Sequence, residues 1–386
     1  MRVVGVDPGT KSFDVLALEN GKVVQEGSVE TSALVHQPTL LLEEIERARP
    51  THVIAPSGYG VPLTRGSEVR DVRRFALEVL LLSTEDQLRA GEEAGLLGVH
   101  VYRGLALVTE WLVREMGERV LFLPAVIHLP TVPWYRKLNK MDMGTVDKLA
   151  ATFVATHLLA EREALDYEEV DLVTLELGYG YVGSIAVERG RVVDGVGGSY
   201  ASAGLVTAGA LDLEVVGAAG GWTRWDVWSG GIYELSPHKD MDLIAREASQ
   251  GDKHAEALLS AYAEGAAKDA ARALLSTPRA NIVVVSGRFS RNATVVDMIR
   301  ERLKDVCVMR LSSSLLPSSV KEAAFGYAAM GEGVLGGVFG ELASHMKIAE
   351  ACGTAADYIV HPRAVGVREA LRKAYAESVV RPRFCS

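Results

Sequence analysis

Two short segments hold the residue types that could handle a phosphate chain. Asp7-Pro8-Gly9-Thr10-Lys11 follows the apolar run Val3–Val6, and Glu176-Leu177-Gly178-Tyr179-Gly180 follows the apolar run that begins at Leu172. In each, an acid is followed two residues later by glycine. Glycine lets a backbone come close to a ligand, and successive N–H groups in such a turn make a concavity for anions. A carboxylate at a strand end can hold Mg²⁺, usually through water. Two such turns facing each other could clamp a polyphosphate and its metal. Thr10 and Lys11 add a hydroxyl and an ammonium to the first turn, and Gly180 adds a second glycine to the other.

Other residues carry weaker signals. His128 ends the apolar stretch Leu123-Pro124-Ala125-Val126-Ile127-His128 and reads first as a core histidine, second as a catalyst. Asp142 and Asp147 flank Gly144-Thr145 at a helix start, where an acid commonly caps or faces the helix dipole. Ser57-Gly58-Tyr59-Gly60 leaves the strand Val53–Ala55, a natural place for a substrate wall. Three of the five tryptophans, with Arg224, crowd into a glycine-flanked stretch, residues 220–231, that reads as a lid, a pocket wall or a packed contact.

The elements that must position these residues repeat. Shifted by 169 residues, residues 3–24 lie over 172–193 without a gap, with identity at seven of 22 positions. Asp7 falls on Glu176, Gly9 on Gly178 and Gly21 on Gly190. Both copies read as β-meanders with a glycine turn, which predicts a duplicated domain. Elsewhere apolar strand-like runs alternate with helical periodicity, the pattern of an α/β chain. Met241–Leu275 reads as helix with a break at Gly251, and Asn281–Gly287 as a buried strand entering a glycine turn. The expected organisation is a first lobe over 1–144, a second over 145–340, and a C-terminal helical segment over 341–386 that is either an addition or a return to the first lobe.

Composition narrows the classes. The chain has 386 residues, 48% hydrophobic and 24% charged, which excludes wholesale disorder. A formal charge of −9 argues against nucleic acid and anionic membranes as partners. No apolar run reaches the roughly 18 residues that span a bilayer. Met1-Arg2 runs straight into the first strand, with nothing that reads as a leader. The three cysteines, Cys307, Cys352 and Cys385, are far apart and odd in number, so neither a disulfide framework nor a zinc site is expected. These features point to a reduced, cytoplasmic protein. Four Asn and four Gln among abundant Glu, Arg and Ala hint at a thermophilic source.

Taken together, the motifs resemble those of the superfamily of acetate and sugar kinases, heat-shock chaperone ATPases and actin. Asp7–Lys11 is similar to its first phosphate motif and Glu176–Gly180 to its second. Val283-Val284-Val285-Ser286-Gly287-Arg288 resembles its adenosine motif. Glu322-Ala323-Ala324-Phe325-Gly326-Tyr327-Ala328 resembles the small-residue helix that follows. The resemblance implies two ribonuclease H-like domains with ATP in the cleft between them. Within the superfamily, Leu177–Gly180 with Ser184–Val187 and Gly190–Asp194, and the Pro133–Lys140 segment, look most like acetate and butyrate kinases, and like an archaeal family of predicted butyrate kinases.

That resemblance implies an ATP-dependent phosphotransferase acting on a small carboxylate, a kind of kinase that commonly forms homodimers. Asp7 would hold Mg²⁺. Thr10, Lys11 and the amides of the Gly178-Tyr179-Gly180 turn would hold phosphates, with Ser286, Gly287, Arg288 and Gly326 near the nucleoside. Arg224, or His128 if protonated, would neutralise the transferring group, with Glu176 opposite. The sequence departs from the kinases in two places. Leu123–His128 lacks their strand carboxylate, and their transition-state Arg falls near Ala208–Ala210, so Arg224 fits only with an insertion. Two alternatives therefore stay open: an ATP-binding regulatory or chaperone-like protein of the same fold, and a metal-dependent nuclease of related fold. The second is disfavoured by the charge and by the few carboxylates in view.

Overall fold

The computed structural model describes residues 1–317 and 319–385. Two sheets dominate it. Strands β1 (Arg2–Pro8), β2 (Ser12–Glu19), β3 (Lys22–Glu30), β4 (His52–Ile54), β5 (Thr64–Arg65) and β6 (Val120–Phe122) form the first, in the order β3-β2-β1-β4-β6-β5. The second contains β7 (Leu172–Leu177), β8 (Val182–Glu188), β9 (Arg191–Val196), β10 (Ile282–Ser286) and β11 (Cys307–Arg310), in the order β11-β10-β7-β8-β9. In each, an antiparallel meander of three strands is extended from its first strand by two parallel strands. The chain is therefore an α/β protein of two ribonuclease H-like lobes.

The duplication extends to backbone detail. Residues at the first meander turn, Asn20 and Gly21, have φ of 51° and 77°, and their counterparts Arg189 and Gly190 have 51° and 68°. Positive φ at both central residues is what a tight right-twisted hairpin requires. The second ladder of each meander slips register at the matched place, between Ala17 and Leu18 and between Ala186 and Val187. Gly9 N–H donates to Ser12 O at 3.0 Å, and Gly178 N–H to Tyr181 O at 3.1 Å. Two unrelated hairpins that shared only a turn rule would not share a slip and a loop bond as well.

Helices Val146–Glu163 and Glu322–Val334 pack on each other, the first covering β7 and β8, the second covering β1 and β2. They form the layer between the two sheets. Close approach depends on small residues: a Cβ on Gly326 would lie 2.3 Å from Ala150 O, and one on Gly5 would lie 2.5 Å from Ala324 O. The expected break at Gly251 is present: the helices Met241–Ser249 and Lys253–Leu274 are separated there, where Gly251 has φ 92°. Edge strand β11 escaped the sequence reading because only four residues, Cys307–Arg310, form it.

The chain returns to the first lobe after the second sheet. Val365–Ser378 packs against residues 75–80, Val69 bridges Val379, and Val380 N–H donates to Glu68 O at 2.8 Å. The expectation of three free thiols is corrected here: Cys352 and Cys385 form a disulfide, and only Cys307 is free. Sequence separation hid the pair. The tail doubles back, with Gly353 N–H bonded to Arg383 O at 2.7 Å, so residues 33 apart become neighbours. Among the described residues no helix is long and apolar enough to cross a membrane.

Candidate functional site

Asp7 and Glu176 stand at the same place in their lobes, near the ends of β1 and β7, next to the turns that follow. Both turns open onto one cleft between the lobes, a cavity of about 180 Å³. Thr10 and Gly180 meet across it: a Cβ on Gly180 would lie 3.7 Å from Thr10 Oγ1. Of the sequence candidates, Asp7, Gly9, Thr10, Lys11, Glu176, Gly178, Tyr179, Gly180, Ser286, Gly287 and Arg288 all line this cleft. The Gly178 N–H is already given to Tyr181 O, so it is not the donor that this turn offers a ligand.

Two lysines that sequence reading missed stand among the acids. Lys321 pairs with Asp7, and its Nζ lies 3.7 Å from Asp14 on β2, the residue paired with Asp7 in the ladder. Lys148 lies 3.0 Å from Asp147 and 3.2 Å from Glu176. Thr145 Oγ1 donates to Asp147, while Ser28 Oγ donates to Asp14 at 2.6 Å. Asp142 Oδ1 accepts from Gly144 N–H at 2.8 Å, and like Asp147 it borders the cleft. Asp142 and Asp147, around the start of the helix Val146–Glu163, thus bring two carboxylates to the cleft that Leu123–His128 does not supply.

Burial sets the charges. It pushes Asp7 up to about 6, against the pull of Lys321, and Glu176 up to about 7, against Lys148. Burial also raises Asp142. Asp147 ends below its ordinary value: burial raises it, but Lys148 and the Thr145 hydrogen bond win. Burial disfavours charge on Lys148 and Lys321, yet their acid neighbours hold both ammonium groups firmly protonated. The site is a tight alternation of acids and ammonium groups.

The residues present fit a magnesium ion. Asp7 Oδ2 and Glu176 Oε2 are buried, and among the described residues each faces only a lysine ammonium, that of Lys321 and that of Lys148. Both are hard oxygen donors, and Mg²⁺ is commonly held by one or two carboxylates, waters and substrate phosphates. Among the described residues no cluster of three or more protein ligands forms a self-sufficient metal cage.

The cleft has two unlike ends. At one, Lys11 Nζ lies 4.6 Å from the centre of the Tyr179 ring, beside Arg288 and Ser286, whose buried Oγ makes no hydrogen bond. Glu322 and Ala323 also border the cleft. At the other end Tyr59, Leu81, Val101, Tyr102, Leu105, Tyr181 and Trp228 form the wall.

Three expectations need correction or refinement. Gly326 does not line the cleft; it is the contact point with Ala150, and its neighbours Ala323 and Tyr327 face the cleft instead. His128 is a core residue: its Nδ1 accepts from Ala125 N–H at 3.2 Å, and burial with the nearby Lys137 charge lowers its pKa to about 3. It is neutral at physiological pH and cannot supply a cation. Arg224 reaches the first lobe but stands behind the tyrosine wall, its Nη2 donating to Leu81 O at 2.9 Å and to Tyr102 Oη at 2.8 Å.

Residues 5–361 match the model of a family described as "Protein of unknown function (DUF1464)". The chain belongs to this family. No curated protein matches it. Among solved structures, a propionate kinase from Francisella tularensis is similar at a TM-score of 0.55 and 13% identity, over 85% of this chain and 98% of that one. Porphyromonas gingivalis acetate kinase gives 0.54 and 14%, over 86% and 99%. Entamoeba histolytica acetate kinase gives 0.51 and 14%, over 79% and 86%. At such identities the likeness is one of fold. The family member therefore has the two-lobed fold of acetate and propionate kinases.

Proposed function

We propose that this chain is an ATP-dependent phosphotransferase that uses Mg²⁺ and phosphorylates a small carboxylic acid, in the manner of a butyrate kinase, to give an acyl phosphate. The observation that carries this reading is the facing pair of acid-x-Gly turns, Asp7–Gly9 and Glu176–Gly178, with Lys148 and Lys321 between them. Asp7 and Glu176 would hold the metal. Bound there, Mg²⁺ would neutralise phosphate charge. Thr10, the Gly180 amide and Lys11 would grip the phosphate chain, with Tyr179, Ser286, Gly287 and Arg288 toward the nucleoside.

Charge neutralisation and alignment supply most of the catalysis in phosphoryl transfer. An ionised carboxylate needs no general base, so the absence of a titrating histidine is no obstacle. One carboxylate oxygen forms a bond to the γ-phosphorus while the bond to the β,γ-bridging oxygen breaks, and the electron pair leaves with ADP. Lys148 and Lys321, released from the acids by the metal, would stabilise the charge on the transferring group.

The test is an acyl-phosphate trap with ATP, Mg²⁺ and hydroxylamine, run with acids from formate to hexanoate. Hydroxamate from particular acids, lost by at least about a hundredfold in Asp7→Ala, is the expected result. If ATP binds in an Asp7-dependent manner but no acid yields hydroxamate, the carboxylate acceptor is wrong and a nucleotide-gated regulator of the same fold takes its place.

A further inference from the structure

Arg224 is a half-buried cation with no carboxylate beside it among the described residues. It belongs to the second lobe, on the turn Arg224–Trp228, yet its guanidinium lies among first-lobe tyrosines, 5.2 Å from the Tyr59 ring centre and 5.7 Å from that of Tyr102. Among the described residues no acid pairs with it, and its Nε is buried without a hydrogen-bond partner. Its charge reaches Asp142, but as the least of the influences on that carboxyl. Burial opposes the charge, and the phenolic oxygens of Tyr102 and Tyr59 hold it in place. Drawing a guanidinium out of water without a carboxylate partner costs free energy, so its position calls for a reason.

The neighbouring wall offers one. Tyr102 Oη accepts from Arg224 at 2.8 Å, which turns the Tyr102 hydroxyl proton away from the guanidinium, toward the neighbouring Tyr59 hydroxyl, where a ligand acceptor in the cleft would compete for it. A phenol that accepts from a charged donor is itself a stronger donor. Trp228 Nε1 is buried and has no partner. Its ring fits a notch at Gly98, where a Cβ would lie 2.4 Å from Trp228 Cδ2, and it packs edge-on against Tyr181 at 5.4 Å. Leu81, Val101 and Leu105 supply an apolar floor. This end of the cleft is thus rich in donors, with an apolar base. The acids beside it already face donors: Asp142 Oδ1 accepts from Gly144 N–H, Asp147 accepts from Thr145 and faces Lys148, and Glu176 Oε2 faces the Lys148 ammonium. A polyhydroxylated ligand, which must donate from its own hydroxyls, would find few takers.

We propose that this end of the cleft takes the acceptor as a monocarboxylate with a branched or aromatic body, held by the Tyr102 hydroxyl and the Trp228 indole. Arg224 is the positioning residue that orients Tyr102. This rests on the phosphotransfer reading for the use made of the acid, but binding of the acid can be tested without nucleotide. Because Arg224 and Trp228 come from the second lobe, the acid site is complete only with that loop seated on the first.

The experiment is calorimetric titration of the full chain with isovalerate, phenylacetate, acetate and glucose as probes. Phenylacetate or isovalerate should bind about tenfold or more tighter than acetate, because each buried methylene adds roughly 0.8 kcal/mol, and glucose should give no heat. Tyr102→Phe should weaken the preferred acid about tenfold and leave ATP affinity unchanged, with a lower melting temperature because Arg224 loses an acceptor. Arg224→Lys should weaken it similarly, and the double variant should be no worse than either single one, since Arg224 acts through Tyr102. If Arg224→Lys does not fold, Tyr102→Phe alone and Trp228→Phe carry the test. Equal binding of acetate or glucose, an unaffected Tyr102→Phe, or additive losses would overturn the proposal. A chain that binds ATP but none of the acids sinks this inference while leaving phosphotransfer to another acceptor. One that binds the acid but not ATP sinks the phosphotransfer reading instead.

Discussion

Asp7 and Glu176 share an unusual condition: each is buried beside an ammonium and still titrates high, near 6 and near 7. The ordinary values are 3.8 and 4.5, so protonation stabilises the fold at these two positions. That contribution is complete below about pH 4 and lost as pH rises through 6 to 7. Near neutrality the ligand-free chain therefore carries two strained carboxylates, and a divalent cation competes with protons for them. Mg²⁺·ATP should accordingly bind more tightly as pH rises from 5.5 to 8, by up to about tenfold per unit for each group still protonated. Calorimetry across that range checks this, and a flat profile would mean that neither carboxylate meets the metal. Both acids were legible in the sequence because an acid-x-Gly turn is local. Lys321 was not: it reaches Asp14 from 307 residues away, and nothing around it in the chain marks it. Lys148 and Asp147 lay in view at a helix start, but a capping motif and an active-site motif look alike there.

At the scale of elements, the meanders were readable because their strands alternate with obligatory turns, and duplication let one copy vouch for the other. The shared slip after Ala17 and Ala186 was not readable, since a bulge leaves no residue signature of its own. The helix Glu322–Val334 was recognised, but its geometry was misread at Gly326. A glycine in a small-residue helix satisfies a nucleotide motif and a packing contact equally well, and only the approach of Ala150 decides between them. Gly5 makes the same kind of contact on the strand that carries Asp7. Its missing Cβ leaves room for Ala324 O and Ala328 N, each 2.5 Å from where that carbon would sit. Backbone atoms cannot rotate aside. Gly5→Ala should therefore push the helix off β1 and destabilise the chain by about 1–3 kcal/mol, read as a lower urea midpoint at unchanged m. Lys321 precedes the same helix, so nucleotide affinity should fall with it. An unchanged midpoint would show that the interlobe layer has slack that its packing does not display.

For the molecule as a whole, the tail decides how firmly the first lobe is closed. Arg383 N–H donates to the Tyr375 hydroxyl at 3.0 Å, the Arg372 guanidinium lies 4.4 Å from the centre of the Phe384 ring, and Cys352 N–H donates to His128 O at 3.0 Å. These contacts bring Cys385 to Cys352 and fasten the C-terminus beside the core that holds His128. Odd cysteine count and wide spacing had argued against any bridge, because sequence spacing carries no information about a tail that folds back. A cross-link closing a loop between residues 33 apart is expected to stabilise by about 2–4 kcal/mol, mainly by restricting the unfolded chain. Thiol titration in denaturant without reductant should find one reactive cysteine, Cys307, and three after reduction. The variant with Cys352→Ser and Cys385→Ser should melt several degrees lower. Its ATP affinity should be unchanged, since none of these tail residues borders the cleft. Three thiols before reduction would refute the bridge. One thiol with an unchanged melting point would mean that the hydrogen bonds and ring contacts of the tail already hold it, and that the covalent link adds nothing to the folded lobe.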